Sequence, residues 1–119
     1  MERICVNQYD AFAPFAVSAH QLEAAGEMFN ALRDPAHLRL LVPLSQGERC
    51  VTELVKADDA KLSSVSARLK VLHAAQPVSR RRDAKHVFYA LSDHYVLTLL
   101  DSVFAHANEP SPVPDKNAS

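Results

Sequence analysis

The sequence has few glycines and cysteines and no long hydrophobic segment. Only two of its 119 residues are glycine, Gly26 and Gly47, so it contains no Gly-rich phosphate-binding loop of the GxGxxG or P-loop type. Few glycines also favour long helices over many hairpins, whose tight turns need positive φ. Cys5 and Cys50 are too few for a disulfide scaffold. No apolar run reaches the roughly 20 residues that span a bilayer, and the first residues lack the apolar core of a signal peptide. We therefore expect a soluble, cytoplasmic, single-domain protein without a membrane segment.

The charge of the chain is small overall but unevenly distributed. The formal net charge is −1. Residues 61–86 nevertheless contain seven cations and one anion, Asp83, so this segment carries +6 and the remainder of the chain −7. A basic surface on an acidic body is typical of a nucleic-acid-binding face.

Hydrophobic periodicity and capping signals predict four helices before residue 76. Ser18 and Gln21 form a capping-box pattern that opens a helix through Arg33, with Leu22, Phe29 and Leu32 on one stripe. Asp34 and Pro35 open the second helix, which we expect to end at Gly47 with a kink or early end at Pro43. A short helix follows over about 50–57, burying Val51, Leu54 and Val55, and then a polar turn at Asp58 and Asp59. The fourth helix covers 61–75, and its apolar positions are Leu62, Val65, Leu69 and Leu72.

After Pro77 the period of the pattern changes from 3.6 to 2. Residues 78–82 and 86–91, joined by a turn at 83–85, predict a β-hairpin. Ser92 is expected to cap a last helix that reaches about Asn108, with Val96, Leu99, Leu100, Val103 and Phe104 on its apolar side. The predicted fold is mainly α, an α+β winged helix-turn-helix with four helices, a β-hairpin wing and a C-terminal dimerisation helix. Its expected divisions are an N-terminal arm (1–17), the winged helix-turn-helix domain (18–109) and a disordered tail (110–119).

Several motifs in combination resemble the ArsR/SmtB family of bacterial metal-sensing repressors. They are L-x-D-P-x-x-L-R-L-L in the second helix, S-x-V-S-x-x-L-x-x-L in the fourth, the hairpin ending V-F-Y-x-L, and the D-H start of the last helix. The resemblance covers about residues 28–109. It implies a homodimer that binds operator DNA when metal-free and releases it when a metal ion binds. Gln76 and Ala84 stand where the family usually has glycine, and Tyr95 stands where it has a histidine ligand.

The fourth helix and the wing are the predicted DNA-binding elements. A helix fits the major groove, and the side chains on its outer face can reach base edges. By resemblance, Ser63, Ser66 and the pair Ala67-Arg68 occupy the main contact positions. Wing cations add phosphate contacts with little sequence information. The candidate DNA-binding residues are Ser63, Ser64, Ser66, Ala67, Arg68, Lys70, Arg80, Arg81, Arg82 and Lys85.

The last helix carries candidate metal ligands at its two ends. Asp93 and His106 are thirteen residues apart, about 20 Å along one helix, so they cannot bind one ion within a single chain. His106 and Glu109 share a face at spacing i, i+3. If two copies of the helix run antiparallel across a dimer axis, Asp93 of one meets His106 and Glu109 of the other. The resemblance implies such an interhelical site, and its N/O ligands suit zinc or another divalent ion.

A second metal site is suggested near the third helix. Cys50 matches the first cysteine of the family's C-V-C motif, Glu53 shares its face at i, i+3, and Cys5 on the arm could complete the site. Mixed thiolate and carboxylate ligands suit zinc or cadmium.

Other functions of the same sequence stay open at this point. The leading hypothesis is a DNA-binding repressor relieved by a divalent metal ion, without an organic cofactor. The alternatives are a repressor of the same fold controlled by oxidation of Cys5 and Cys50, one with no effector, and a winged-helix adapter that binds protein. An enzyme is disfavoured, because nothing in the sequence brings a Cys, His and Asp together in a substrate cleft.

Overall fold

The structure, a computed structural model, describes residues 16–110. In this part the chain forms five helices and three strands: α1 (Ala19–Leu32), α2 (Pro35–Leu44), β1 (Arg49–Cys50), α3 (Val51–Asp58), α4 (Leu62–Ala75), β2 (Val78–Asp83), β3 (His86–Leu91) and α5 (His94–Ala107). The α+β winged helix-turn-helix predicted from the sequence is confirmed. The predicted arm and tail, with Cys5, lie almost entirely outside the described residues.

Local capping signals explain where the first two helices begin. The Ser18 hydroxyl accepts from the Gln21 amide at 3.1 Å, and the Gln21 side chain accepts from the Ser18 amide at 2.8 Å. The Asp34 carboxylate accepts from the Ala36 amide at 2.9 Å, and Pro35 fills the first helical position. Helix α2 stops at Leu44, directly after Pro43, which confirms the early end expected at this proline; it does not reach Gly47.

The three strands form one antiparallel sheet in the order β1-β3-β2. The hairpin register pairs Arg80 with Tyr89 and Arg82 with Val87. Strand β1 was not predicted. It pairs Arg49 with Tyr89 and Cys50 with Phe88, so Cys50 ends a strand and caps α3 instead of beginning the helix.

The apolar core lies between α2, α3, α4 and the sheet. Its members are almost inaccessible to solvent and include Leu40, Leu41, Leu44, Leu54, Val65, Leu69, Leu72, Val78 and Tyr89, with Val96 and Leu100 from α5. The expectation that Val51 and Val55 are buried is met only in part, because both are half-buried. Periodicity predicts that Leu62 lies on the buried apolar stripe of α4, yet the residue is 56% exposed. No helix in residues 16–110 is long and apolar enough to cross a membrane.

The start of α5 differs from the prediction. Asp93, rather than Ser92, caps the helix, and its carboxylate accepts from the Val96 amide at 3.0 Å. The Ser92 hydroxyl instead donates to the carbonyl of Gln76 at 2.5 Å, joining the start of α5 to the end of α4.

Candidate nucleic-acid interface

Helix α4 presents its polar face to solvent because three of its apolar residues are packed in the core on the opposite side. Val65, Leu69 and Leu72 are fully buried and fix the rotation of the helix. Ser63, Ala67 and Lys70 are exposed, and Ser64 and Ser66 are half-buried. The residues predicted to contact bases therefore lie on or beside the open face of α4.

Arg68 is the candidate DNA-binding residue of α4 whose ion pair the sequence does not indicate. Its Nη1 lies 3.3 Å from Oδ2 of Asp58, at the end of α3. Arg39 of α2 approaches the other oxygen of the same carboxylate, with Nε 3.3 Å from Oδ1. The Asp58 side chain is only 5% exposed, and Asp58 is the last residue of α3, so the polar turn predicted at Asp58 and Asp59 begins one residue later, at Asp59.

The wing carries three adjacent arginines in two different environments. Arg80 and Arg82 lie on one face of β2, and both are exposed. Arg81 lies on the other face and forms a two-pronged ion pair with Glu48, with Nε–Oε2 at 2.8 Å and Nη2–Oε1 at 2.7 Å. Its guanidinium also lies over the Phe88 ring, 4.6 Å from the centroid. The charge of Arg81 is thus compensated within the chain.

This ion pair changes the acid–base properties of its partners. The hydrogen bonds from Arg81 hold the pKa of the Glu48 carboxyl below its ordinary value, and the same contact raises the pKa of Arg81. The pair connects the segment before β1 to the wing, which positions the wing relative to the helical body.

The tip of the wing is a tight turn at Ala84 and Lys85. Ala84 has φ +56°, a conformation that glycine adopts more readily. Lys85 is exposed there. The tip therefore presents a cation beyond Arg80 and Arg82, and contact of these cations with the DNA backbone stays a prediction.

Glu48 and Asp58 are the two residues that the sequence analysis missed. Each neutralises an arginine predicted to contact DNA. Their partners lie 33 and 10 residues away along the chain, so no local spacing identifies either pair. The excess of charge in residues 61–86 found the basic face but could not separate paired from exposed cations.

The candidate ligands of the interhelical site lie at the two ends of α5. Asp93 caps the helix, His106 is in the last turn and Glu109 lies just beyond, where its amide donates to the His106 carbonyl at 3.0 Å. All three side chains are exposed. Within one chain, and within residues 16–110, no three His, Cys, Asp or Glu side chains come together to hold a metal ion.

The residues of the second candidate metal site have a structural use. The carboxylate of Glu53 accepts from the Cys50 amide at 2.9 Å, which caps α3 and lowers the pKa of Glu53. The Cys50 Sγ lies 3.1 Å from the Thr52 hydroxyl. Cys5, the third residue of this proposed site, is outside the described residues.

The fold and its basic outer face define the class of the protein, a winged helix-turn-helix DNA-binding regulator. The structure is similar to the homodimeric winged helix-turn-helix DNA-binding domain of a possible ArsR-family transcriptional regulator from Mycobacterium bovis, with a TM-score of 0.72 and 28% identity over 80% of this chain and 91% of that one. The sequence is 36% identical over 96 residues to a transcriptional repressor SmtB homolog from Synechocystis, covering 81% of this chain and 73% of the relative. The chain belongs to the ArsR/SmtB family of transcriptional repressors.

Further relatives agree with this assignment. An HTH-type transcriptional repressor SmtB from Mycobacterium tuberculosis is 39% identical over 88 residues, 74% of this chain and 65% of that protein. This chain thus spans slightly less than two thirds of the mycobacterial relative. A cadmium resistance transcriptional regulatory protein CadC homolog from Staphylococcus aureus is 29% identical over 84 residues, 70% of this chain and 69% of the relative. A scan against protein-family models finds no match.

Proposed function

We propose that the protein is a homodimer that represses transcription from an operator and releases the DNA when it binds a divalent metal ion such as zinc. The observation that carries the DNA-binding part is the open polar face of α4 beside the exposed wing cations. Ser63, Ser64, Ser66 and Ala67 are the proposed base-facing residues, and Lys70, Arg80, Arg82 and Lys85 the proposed phosphate contacts.

Exposed apolar residues on the first and last helices support the homodimer. Leu22 and Phe29 of α1 are 63% and 59% exposed, and Tyr95, Val103 and Phe104 of α5 are exposed as well. These are five of the nine large apolar residues exposed in residues 16–110, and they include Phe29, Tyr95 and Phe104. Exposed apolar surface of this kind favours association with another protein surface. A second copy fits best, because dimers place two recognition helices on the two half-sites of an operator.

The donor groups at the ends of α5 support the metal effector. Imidazole and carboxylate oxygen are ligands that zinc accepts, and all three candidate side chains are exposed. The cap bond of Asp93 uses Oδ1, which leaves Oδ2 for a metal ion. A bound ion would cross-link the protomers. It causes release only if it prefers a dimer geometry in which the recognition helices no longer match the operator.

The test is a DNA-binding titration of the purified full chain by fluorescence anisotropy, using the DNA just upstream of its gene. It is run under reducing conditions at two salt concentrations, with and without zinc. We expect tight, salt-sensitive binding that zinc weakens by about tenfold or more. His106→Ala should keep the zinc-free affinity and lose the zinc effect. Asp101→Asn, which changes another exposed polar side chain of α5, should keep both.

Each contrary outcome points to a different part of the proposal. Salt-sensitive binding that zinc leaves unchanged would reject zinc as the effector, and loss of binding on oxidation, abolished by Cys50→Ser, would identify a thiol switch instead. Absence of binding at both salt concentrations would reject the DNA-binding interface and favour a protein-binding adapter.

A further inference from the structure

Asp58 joins three helices through one buried carboxylate. It is the last residue of α3, and its two oxygens are approached by Arg39 of α2 and Arg68 of α4, each at 3.3 Å. Its side chain is 5% exposed, whereas those of Arg39 and Arg68 are 61% and 30% exposed. The carboxylate is therefore inside the protein, and the arginines reach it from the surface.

A carboxylate in this position needs its cations. A buried charge is strongly disfavoured unless it is paired and hydrogen-bonded, so the arginines compensate Asp58 in the folded protein. One carboxylate balances only one of the two arginine charges, and Arg68 is the less exposed partner, at 30% against 61% for Arg39. The guanidinium of Arg68 is drawn back toward α3, although its neighbours Ala67 and Lys70 lie on the open face of α4.

We propose that Asp58 is a positioning residue for DNA binding, and that it holds Arg68 as a strut between α3 and α4 and keeps its charge from the DNA. The proposal rests on α4 being the helix that enters the groove. In this arrangement Arg68 fixes the angle of α4 and adds no phosphate contact. Removing the Asp58 charge releases a cation beside the proposed base-facing serines. This cation can contact phosphates of any DNA, so affinity for random sequences should rise more than affinity for the operator.

The salt dependence of DNA binding separates a strut from a phosphate contact. Each phosphate neutralised by a cation contributes about 0.9 to the slope of log K against log salt. Arg68→Gln should leave this slope unchanged, while Lys70→Gln and Arg82→Gln each reduce it by about 0.9. Asp58→Asn should steepen it by up to about 0.9 and lower the ratio of operator to random-sequence affinity. Arg68→Lys, which can keep a single ion pair, should keep the wild-type slope, affinity ratio and Tm.

Thermal unfolding in the absence of DNA tests the ion pair of Asp58 and Arg68 independently of the proposed DNA interface. Arg68→Gln and Asp58→Asn should each lower Tm, and the double variant should lower it by less than the sum of the two, because the second change removes a partner that is already lost. Strictly additive shifts in Tm would overturn the strut.

The DNA titrations can overturn the proposal separately. A slope that falls by about 0.9 in Arg68→Gln would make Arg68 a phosphate contact. An unchanged slope in Asp58→Asn, in protein that circular dichroism shows to be folded, would show that Asp58 does not withhold Arg68. A wild-type slope of log K against log salt near zero would instead reject the DNA interface on which the proposal rests, whatever the Tm shifts of the single and double variants are.

Discussion

Helix α4 buries more of its apolar residues within the chain than helices α1 and α5 do. Val65, Leu69 and Leu72 of α4 are fully buried within the chain, whereas Leu22 and Phe29 of α1 remain exposed. Helix α5 is intermediate, since Val96 and Leu100 enter the core and Tyr95, Val103 and Phe104 do not. Helix α4 thus leaves the aliphatic Leu62 and Val71 exposed, whereas α1 and α5 expose Phe29, Tyr95 and Phe104, the aromatic side chains that we propose a partner covers.

The largest expected effect is a loss of stability on changing a buried apolar residue of α4. Leu69→Ala should lower the free energy of unfolding by about 2–5 kcal/mol, because it leaves a cavity beneath the DNA-facing helix. Urea unfolding at fixed protein concentration measures it. Leu62→Ala is the matched control, the same substitution on the same helix at an exposed residue, and should change stability by about 0.5 kcal/mol or less. Equal losses in the two variants would mean that Leu62 is packed as tightly as Leu69.

The second expected effect is on dimerisation and concerns the exposed apolar residues of α1. Phe29→Ser should weaken dimerisation by at least about tenfold, because a large aromatic side chain in an interface contributes more than its neighbours. Sedimentation velocity over a dilution series measures the dissociation. Val42→Ser is the control, since Val42 is also about half exposed but lies on α2. If Phe29→Ser dimerises like the wild type, the exposed face of α1 has a different use.

The sequence predicts features that depend on neighbouring residues and misses those that depend on distant ones. The caps at Ser18 and Asp34 were predicted because each bonds to an amide two or three residues away. Strand β1 was missed, because a two-residue strand exists only through its pairing with Tyr89 and Phe88. Periodicity correctly predicts the buried side of α4 but includes Leu62 in it, because the spacing of apolar residues does not show how far along the helix its neighbours cover it.

The candidate site follows the same rule. The basic segment predicts that α4 and the wing form the DNA-binding face, because charge and periodicity are visible along the chain. It could not show that Arg68 and Arg81 are paired with Asp58 and Glu48, whose distances depend on the tertiary fold. The metal site proposed at the ends of α5 stays a prediction, because its ligands would come from two protomers and one chain cannot show how they meet.

The smallest expected effect is at the end of α4, where the recognition helix meets the wing. Gln76 stops the helix with φ +77°, and its amide donates to the Leu72 carbonyl at 3.0 Å. A residue with a Cβ is disfavoured in this left-handed conformation, and glycine is the usual residue at such a helix end. Gln76→Gly should therefore raise the free energy of unfolding by about 0.5–1 kcal/mol, the relief of strain exceeding the added entropy of the unfolded chain. Ala74→Gly, at an exposed helical position two residues earlier, should lower it by a similar amount. If both variants lose stability, the conformation of Gln76 costs less than its φ implies, and the end of α4 is held by the bond from Ser92 to the Gln76 carbonyl.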